Sequence, residues 1–380
     1  MRYPLLAALL LLTACASSPS RDTRTPPSAT DAIADICRAE ESAGALSGQV
    51  IVARHGRIIH QGLYGRASIE LDIAPTDATR FKIFSTTKHF TADAIMLLVQ
   101  DGRLNTSDSI RDHFPEAPAS WQPVTIHHLL THTSGIPEFL GALVQHQHPT
   151  QLQSVIATLA AIQDLAPITT PGTVFAYSNS GYTVLGALIE RISAATYQDF
   201  LSARIFTPAS MSSAGVETAV FQDFGNGPTD VGHHTIAGLA SGYNGTPADP
   251  VPTVSNVYII TGAGAIHATA TDLLHYDNAL RAGAVIPFAL QQRMIDSAFD
   301  NPKGADVGYG WFIRQRHGHQ MISHSGGTNG FTCEYARIPD DGLCIIILTN
   351  RGSMNPEALR DTILDAIYGS ADSATAAPPQ

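Results

Sequence analysis

The chain has 380 residues, 44% of them hydrophobic and 14% charged, with a formal net charge of −11. This composition excludes a disordered chain and provides for a large buried core, as one big domain or two modest ones. The acidic balance argues against a nucleic-acid binder, which would present a basic face, and suits a small-molecule substrate or a protein partner.

Met1 and Arg2 precede an apolar run from Leu5 to Leu12. The run is too short to span a bilayer as a helix and reads as the core of a signal peptide over residues 1–14. It ends in Leu12-Thr13-Ala14-Cys15, which resembles the lipobox of bacterial lipoproteins. That resemblance implies cleavage before Cys15, lipidation of its thiol, and attachment to a membrane through the lipid. Ala16, by similarity to sorted lipoproteins, favours the periplasmic face of the outer membrane; the alternative is a periplasmic or secreted protein. Residues 15–30 are Ser/Thr/Pro-rich and have the composition of a tether.

A domain is expected over residues 31–368. Ile33, Ile36 and Cys37 recur at helical spacing between Asp31 and Ser42. Gly48 to Ile59 reads as strand, turn, strand, bending at His55-Gly56, with a further strand expected from Tyr64 to Ile69. Phe90 to Val99 reads as a helix stopped at Asp101-Gly102. The middle of the chain is mostly helical in pattern, with Gly/Pro-rich connections. Gly330 to Arg337 and Leu343 to Thr349 are strand-like and joined by the turn Pro339-Asp340-Asp341-Gly342. Strands at both ends enclosing a helical middle predict an α+β fold, whose antiparallel sheet is built by both chain ends and flanked by helices. Residues 369–380 read as a disordered tail. Apart from Cys15, the cysteines are Cys37, Cys333 and Cys344, expected as small buried hydrophobes; export would permit one bridge among them. His128 and His132 stand four residues apart, and His146/His148 and His233-His234 cluster, but no carboxylate or cysteine set accompanies them. No metal and no cofactor is expected.

Three short motifs carry chemistry. Lysine occurs only at 82, 88 and 303, so Ser85-Thr86-Thr87-Lys88 stands out. A serine at the head of a helix would have Lys88 one turn on along the same face, with the first-turn N–H groups favouring negative charge nearby. A lysine in a desolvated site loses basicity and can take the proton that keeps serine a weak nucleophile. In Tyr177-Ser178-Asn179, the tyrosine needs a nearby cation to act as a base, and Asn179 can donate and accept at once. In His324-Ser325-Gly326-Gly327, read as a run leading into a strand, the glycines admit a close backbone approach and the imidazole can assist proton traffic.

In this order, Ser85-x-x-Lys88, Tyr177-x-Asn179 and His324-x-Gly326 resemble the three motifs of the class C β-lactamase and DD-peptidase superfamily. The stretches Thr125 to Pro137 and Pro171 to Tyr182, Gly262-Ala263-Gly264 and Leu348-Thr349-Asn350 are similar as well, so the likeness spans roughly residues 48–351. The resemblance implies a serine hydrolase with Ser85 acylated, Tyr177 as general base, Lys88 keeping its proton mobile and Asn179 orienting Lys88 and substrate. It further implies an oxyanion hole of the Ser85 and Gly327 N–H groups, with His324 and Gly326 contacting substrate. Where β-lactamases of this class carry Lys-Thr-Gly, this chain has His324-Ser325-Gly326, and a histidine is often neutral at pH 7. Short-chain esters and D-amino-acid peptides, including peptidoglycan peptides, are therefore expected ahead of β-lactams. The rival expectation is a non-hydrolytic peptidoglycan-binding envelope protein. Oligomeric state is not readable.

Overall fold

The computed structural model describes residues 29–138, 166–217, 219–223, 228–233, 235–254 and 261–369. The expected signal segment, Cys15, residues 16–28 of the expected tether, His146, His148, His234 and residues 370–380 lie outside the described residues, while Ala29 and Thr30, expected in the tether, begin a helix.

Strands β1 (Gly48–Arg54) and β2 (Arg57–Tyr64) open the chain's sheet, and β10 (Asp306–Val307), β11 (Phe312–Arg316), β12 (His319–Thr328), β13 (Phe331–Ile338) and β14 (Leu343–Thr349) complete it. The order is β10-β11-β12-β13-β14-β1-β2. Every pairing is antiparallel, and β1 joins β14 from Gly48↔Thr349 to Arg54↔Leu343. Both chain ends therefore build one sheet, as predicted. The β1 sequence is apolar at successive positions because helices cover both faces. Val50 and Val52 pack with Ile345 and Ile347 on one side, against α1 (Ala29–Ser42) and the C-terminal helix Pro356–Tyr368. Ile51, Ala53, Ile346 and Leu348 belong to the larger core on the other side. The two-residue side-chain period divides each strand between the two cores.

That larger core surrounds α2 (Thr87–Gln100), whose residues Thr87 to Leu98 are all buried. Around it lie α3 (Ile126–Leu130), α4 (Asn179–Ser193) and α5 (Ala270–Arg281), and the C-terminal helix is α6. Helix starts follow the capping rules: Thr125 and Thr269 close capping boxes, Ser178 caps α4, and Asn355 caps α6 ahead of Pro356. Cys37, Cys333 and Cys344 are free and buried.

One expectation is corrected. No strand runs from Tyr64 to Ile69, because Gly65 takes φ +65 and the chain folds back, leaving one bridge between Ser68 and Ile73. Among the described residues the middle region is mostly helical, as expected, with short strands added. It contains a small sheet of β3 (Phe81–Lys82), β4 (Gly215–Val216) and β9 (Ile266–Ala268). Two hairpins join it, β5 (Ala219–Asp223) with β6 (Pro228–His233) and β7 (Gly242–Thr246) with β8 (Asp249–Thr253). The β7–β8 segment is too rich in Gly and Pro for a helix, and its turn sets the pairing.

Arg360 on α6 pairs with Glu334 on β13, and both side chains are buried. Arg360→Met would leave the Glu334 carboxylate buried without its cation. Unfolding in urea is expected to show a loss of about 3 kcal/mol, with much of it recovered in Arg360→Met/Glu334→Leu. Loss of under about 1 kcal/mol in the single variant would show the pair to be unimportant.

Candidate active site

The site lies where α2, α4 and β12 meet. β3 leads into a 3-10 turn, Phe84–Thr86, that runs directly into α2. Ser85 sits in this turn rather than in the first turn of the α-helix, and Lys88 follows as the second residue of α2. Phe84 is held at φ +41, an unfavourable conformation for an aromatic residue, one position before the serine. The turn is tied to the sheet: the Cys333 thiol donates to the Ile83 carbonyl at 3.1 Å, and the Thr86 hydroxyl donates to the His324 carbonyl at 3.3 Å.

Lys88 is fully buried, and its Nζ has three oxygen neighbours. Asn179 Oδ1 stands at 2.8 Å, the Ala263 carbonyl at 2.9 Å and Ser85 Oγ at 3.3 Å. Burial pushes its pKa down to about 7, and the charge of Glu138 opposes that shift. The Ala263 carbonyl reaches this position because its turn approaches α4 at two glycines. A Cβ on Gly262 would lie 2.4 Å from the Tyr182 carbonyl and 2.9 Å from Gly186 Cα. Asn179 is the first residue of α4, so the Tyr177-Ser178-Asn179 motif is a helix entry.

Tyr177 is half-buried, stacks on His132 at 4.5 Å and holds a hydrogen bond to Ser85. Its ring lies 4.8 Å from Lys88 Nζ. Burial raises the phenol pKa well above its usual value, the Ser85 hydrogen bond opposing this and Glu138 adding to it. His324, on β12, faces Tyr177 at 6.0 Å and Phe312 at 5.0 Å. Burial lowers its pKa to about 3, with Lys88 adding to the effect. The Ser85, Lys88, Tyr177, Asn179 and His324 side chains are thus brought together by four segments. Gly326 lies against the serine turn: a Cβ there would stand 3.0 Å from Ser85 N and 2.3 Å from the Ile83 carbonyl. Gly327 follows opposite Thr332. The His324 to Gly327 run lies within β12, not ahead of a strand as predicted, because strand pairing with β13 continues to Thr328. Ser323, just before the motif, is buried between Phe312 and Ala336.

Other residues of the site were not singled out from sequence. Glu138 accepts from the Ser178 hydroxyl at 2.6 Å and from the Ser180 amide at 3.2 Å. Its only sequence signal is its place after Gly135-Ile136-Pro137. His89 is buried next to Lys88 and packs on Trp311 at 3.6 Å. A histidine inside the expected helix was a visible sign left unread. His132 and His128 do have local structural roles, since His132 Nδ1 accepts from the Ser178 amide and His128 Nδ1 from the Thr125 amide. Among the described residues no cluster of His, Cys, Asp or Glu is arranged to hold a metal.

The fold and this cleft define a class, the serine hydrolases built on the β-lactamase and transpeptidase fold. The chain belongs to the Beta-lactamase family, whose profile matches residues 33–370. It is 29% identical over 314 residues to Penicillin-binding protein 4* of Bacillus subtilis, covering 80% of this chain and 68% of that protein. The chain spans 62% and 59% of two other curated relatives. The D-amino acid amidase of Ochrobactrum anthropi superposes with a TM-score of 0.73 at 23% identity, over 89% of this chain and 98% of that one. The hydrolase EstCE1, described as having promiscuous acyltransferase activity, gives 0.73 at 20% identity, over 90% and 98%. These two likenesses are of fold.

Proposed function

We propose that this chain is an exported serine hydrolase that forms an acyl-enzyme on Ser85 and hydrolyses an ester or amide, preferring short-chain esters or D-amino-acid peptides. The observation that carries this reading is the surroundings of Lys88 Nζ. A neutral amine has two N–H bonds and one lone pair. Two of its three neighbours, Asn179 Oδ1 and the Ala263 carbonyl, can only accept, which leaves the lone pair for the Ser85 hydroxyl. With a pKa of about 7 the neutral form is populated at working pH.

Resemblance gives the first proton transfer to Tyr177. Burial keeps that phenol protonated, so we assign the transfer to Lys88 instead. Ser85 Oγ then bonds to the acyl carbon, and its proton passes to Lys88. Collapse of the tetrahedral adduct breaks the bond to the leaving group, which takes a proton from Tyr177, and Lys88 reprotonates Tyr177. Water repeats the sequence on the acyl-enzyme. The Ser85 and Gly327 amides would bind the oxyanion, and Asn179 would hold Lys88. No cofactor takes part. The names of the relatives agree with this class of substrate, a penicillin-binding protein and an amidase. Export and lipid attachment at Cys15, with residues 15–30 as tether and residues 31–368 as the catalytic domain, are part of the proposal and rest on sequence. Among the described residues no helix is long and apolar enough to cross a membrane.

The test is intact mass after treatment with a fluorophosphonate. One adduct on the wild type and none on Ser85→Ala is the expected result. An unmodified wild type, or an adduct that persists in Ser85→Ala, would remove Ser85 as the nucleophile.

A further inference from the structure

Behind the active site the fold holds a second recess. It is a cavity of about 330 Å³ between α2, α5, β13 and the helix Phe288–Asp296, a size within the range of small-molecule sites. Its wall is apolar where Trp311, Ile322 and Met294 line it, and Phe288, 61% exposed, stands at its mouth. Two charged side chains line it from within. Asp93, 1% exposed, comes from the middle of α2, and Arg337, 6% exposed, comes from β13.

These opposite charges share one cavity without meeting. Asp93 accepts from the Tyr276 hydroxyl at 2.6 Å, and Arg337 Nε donates to Asp277 Oδ1 at 2.6 Å. The second Asp93 oxygen and the two terminal Arg337 nitrogens make no hydrogen bond among the described residues. Burial raises the Asp93 pKa to about 7, against the Tyr276 hydrogen bond and the charge of Arg337. Yet among the described residues no ion pair joins Asp93 to Arg337. The third charged residue of the lining is Arg281, which is half-buried. Its Nη2 donates to His55 Nδ1 at 3.3 Å, and it has no carboxylate partner among the described residues. With Asp277 as the counter-ion of Arg337, two carboxylates and two guanidiniums sum to zero while their signs stay apart. A lone amine would leave Arg281 uncompensated, and a lone carboxylate would leave Asp93 without a cation. A ligand carrying both charges meets an opposite charge at each end.

We propose that this cavity binds a free amino acid with an apolar side chain, its ammonium on Asp93, its carboxylate on Arg337 and its side chain against Trp311. Nothing in this inference depends on the hydrolase reading. The cavity nevertheless shares its walls with the catalytic centre: Asp93 follows Lys88 on the same helix, and Trp311 packs on His89 at 3.6 Å.

The experiment titrates the full chain by calorimetry at pH 8 with D-leucine or L-leucine. Beside them are 3-methylbutylamine, which lacks the carboxylate, and 4-methylpentanoate, which lacks the ammonium. At least one leucine enantiomer is expected to bind saturably, at least roughly tenfold tighter than either single-charge analogue. Asp93→Asn keeps the shape of the carboxyl and is expected to weaken leucine at least roughly tenfold, with 4-methylpentanoate held within about threefold. Of the chain's two tryptophans, only Trp311 lines the cavity, so Trp311→Phe is expected to lose the emission change that leucine causes in the wild type. The analogue series needs no variant. Absence of saturable leucine binding below about 10 mM overturns the proposal, as does an amine or acid that binds as tightly as leucine. Leucine binding unchanged in Asp93→Asn would lie outside this cavity, the Ser85 cleft included, and overturns it as well.

Discussion

Lys88→Met is expected to lower kcat at pH 8 by about a thousandfold or more while KM moves only a few-fold. The methionine stem is close to lysine in length, so α2 keeps its packing and the substrate cleft keeps its shape. What is lost is the lone pair proposed to receive the Ser85 proton, a contribution of about 10² to 10⁴ for a positioned base. In the wild type, kcat/KM should rise with pH through about 7, because protonating Lys88 occupies that lone pair. The same group leaves a signature in stability. The unfolded chain keeps the Lys88 proton up to its ordinary value of 10.5, whereas the folded protein releases it near 7. Between those values the unfolded state binds more protons, so stability rises with pH across the window. Below about 7 the cost of burying the charge is present in full. Lys88→Met lacks this dependence. Its stability relative to wild type, from urea unfolding, should therefore fall by about 2 kcal/mol between pH 7 and pH 9. A constant difference over that range would mean that Lys88 stays charged, returning the base role to Tyr177.

The parts of this site that could be read in the sequence are those whose chemistry is local. Ser85 and Lys88 are three residues apart on consecutive helical turns, and their relation follows from spacing alone. The sheet was legible because Val50, Ile51 and Val52, like Ile345, Ile346 and Ile347, show apolar runs that need cover on both faces. What stayed hidden depends on backbone groups and distant partners. The Ala263 carbonyl has no sequence signature, and it reaches Lys88 only because Gly262 lets its turn approach α4. Glu138 is one carboxylate among many until Ser178 and Ser180 are placed beside it by the start of α4. The protonation preferences of Tyr177 and His324 come from burial, which spacing does not encode. The missed hairpins in the middle region have a simpler cause. Their strands are short and carry Gly and Pro, so neither hydrophobic period is expressed over enough residues.

Gly326→Ala should be nearly as damaging as loss of the lysine, though it adds only one methyl group. The new Cβ would lie 2.3 Å from the Ile83 carbonyl, 2.9 Å from Cys333 Sγ and 3.0 Å from Ser85 N. Two of those neighbours are backbone atoms of the segment that carries Ser85, so relief requires β12 and the serine turn to part. That turn has little freedom to give. Phe84 is already at positive φ, and the Cys333 thiol and Thr86 hydroxyl tie the turn to the sheet. Separation by a few tenths of an ångström would pull the Gly327 amide away from the Ser85 amide. With these two amides as the proposed oxyanion donors, their separation is expected to cost about 10² to 10³ in kcat. The expected result is that loss in kcat with a modest change in KM, together with about 1–3 kcal/mol of stability from overpacking. Cys333→Ala in the same background should not restore the rate, because it removes the thiol and leaves the Ile83 carbonyl in place. If Gly326→Ala kept kcat within about threefold of wild type, the close approach of β12 to Ser85 would have no catalytic purpose. If Cys333→Ala restored the rate, the thiol and not the peptide would be the obstacle, and the serine turn would be more compliant than its positive-φ phenylalanine implies.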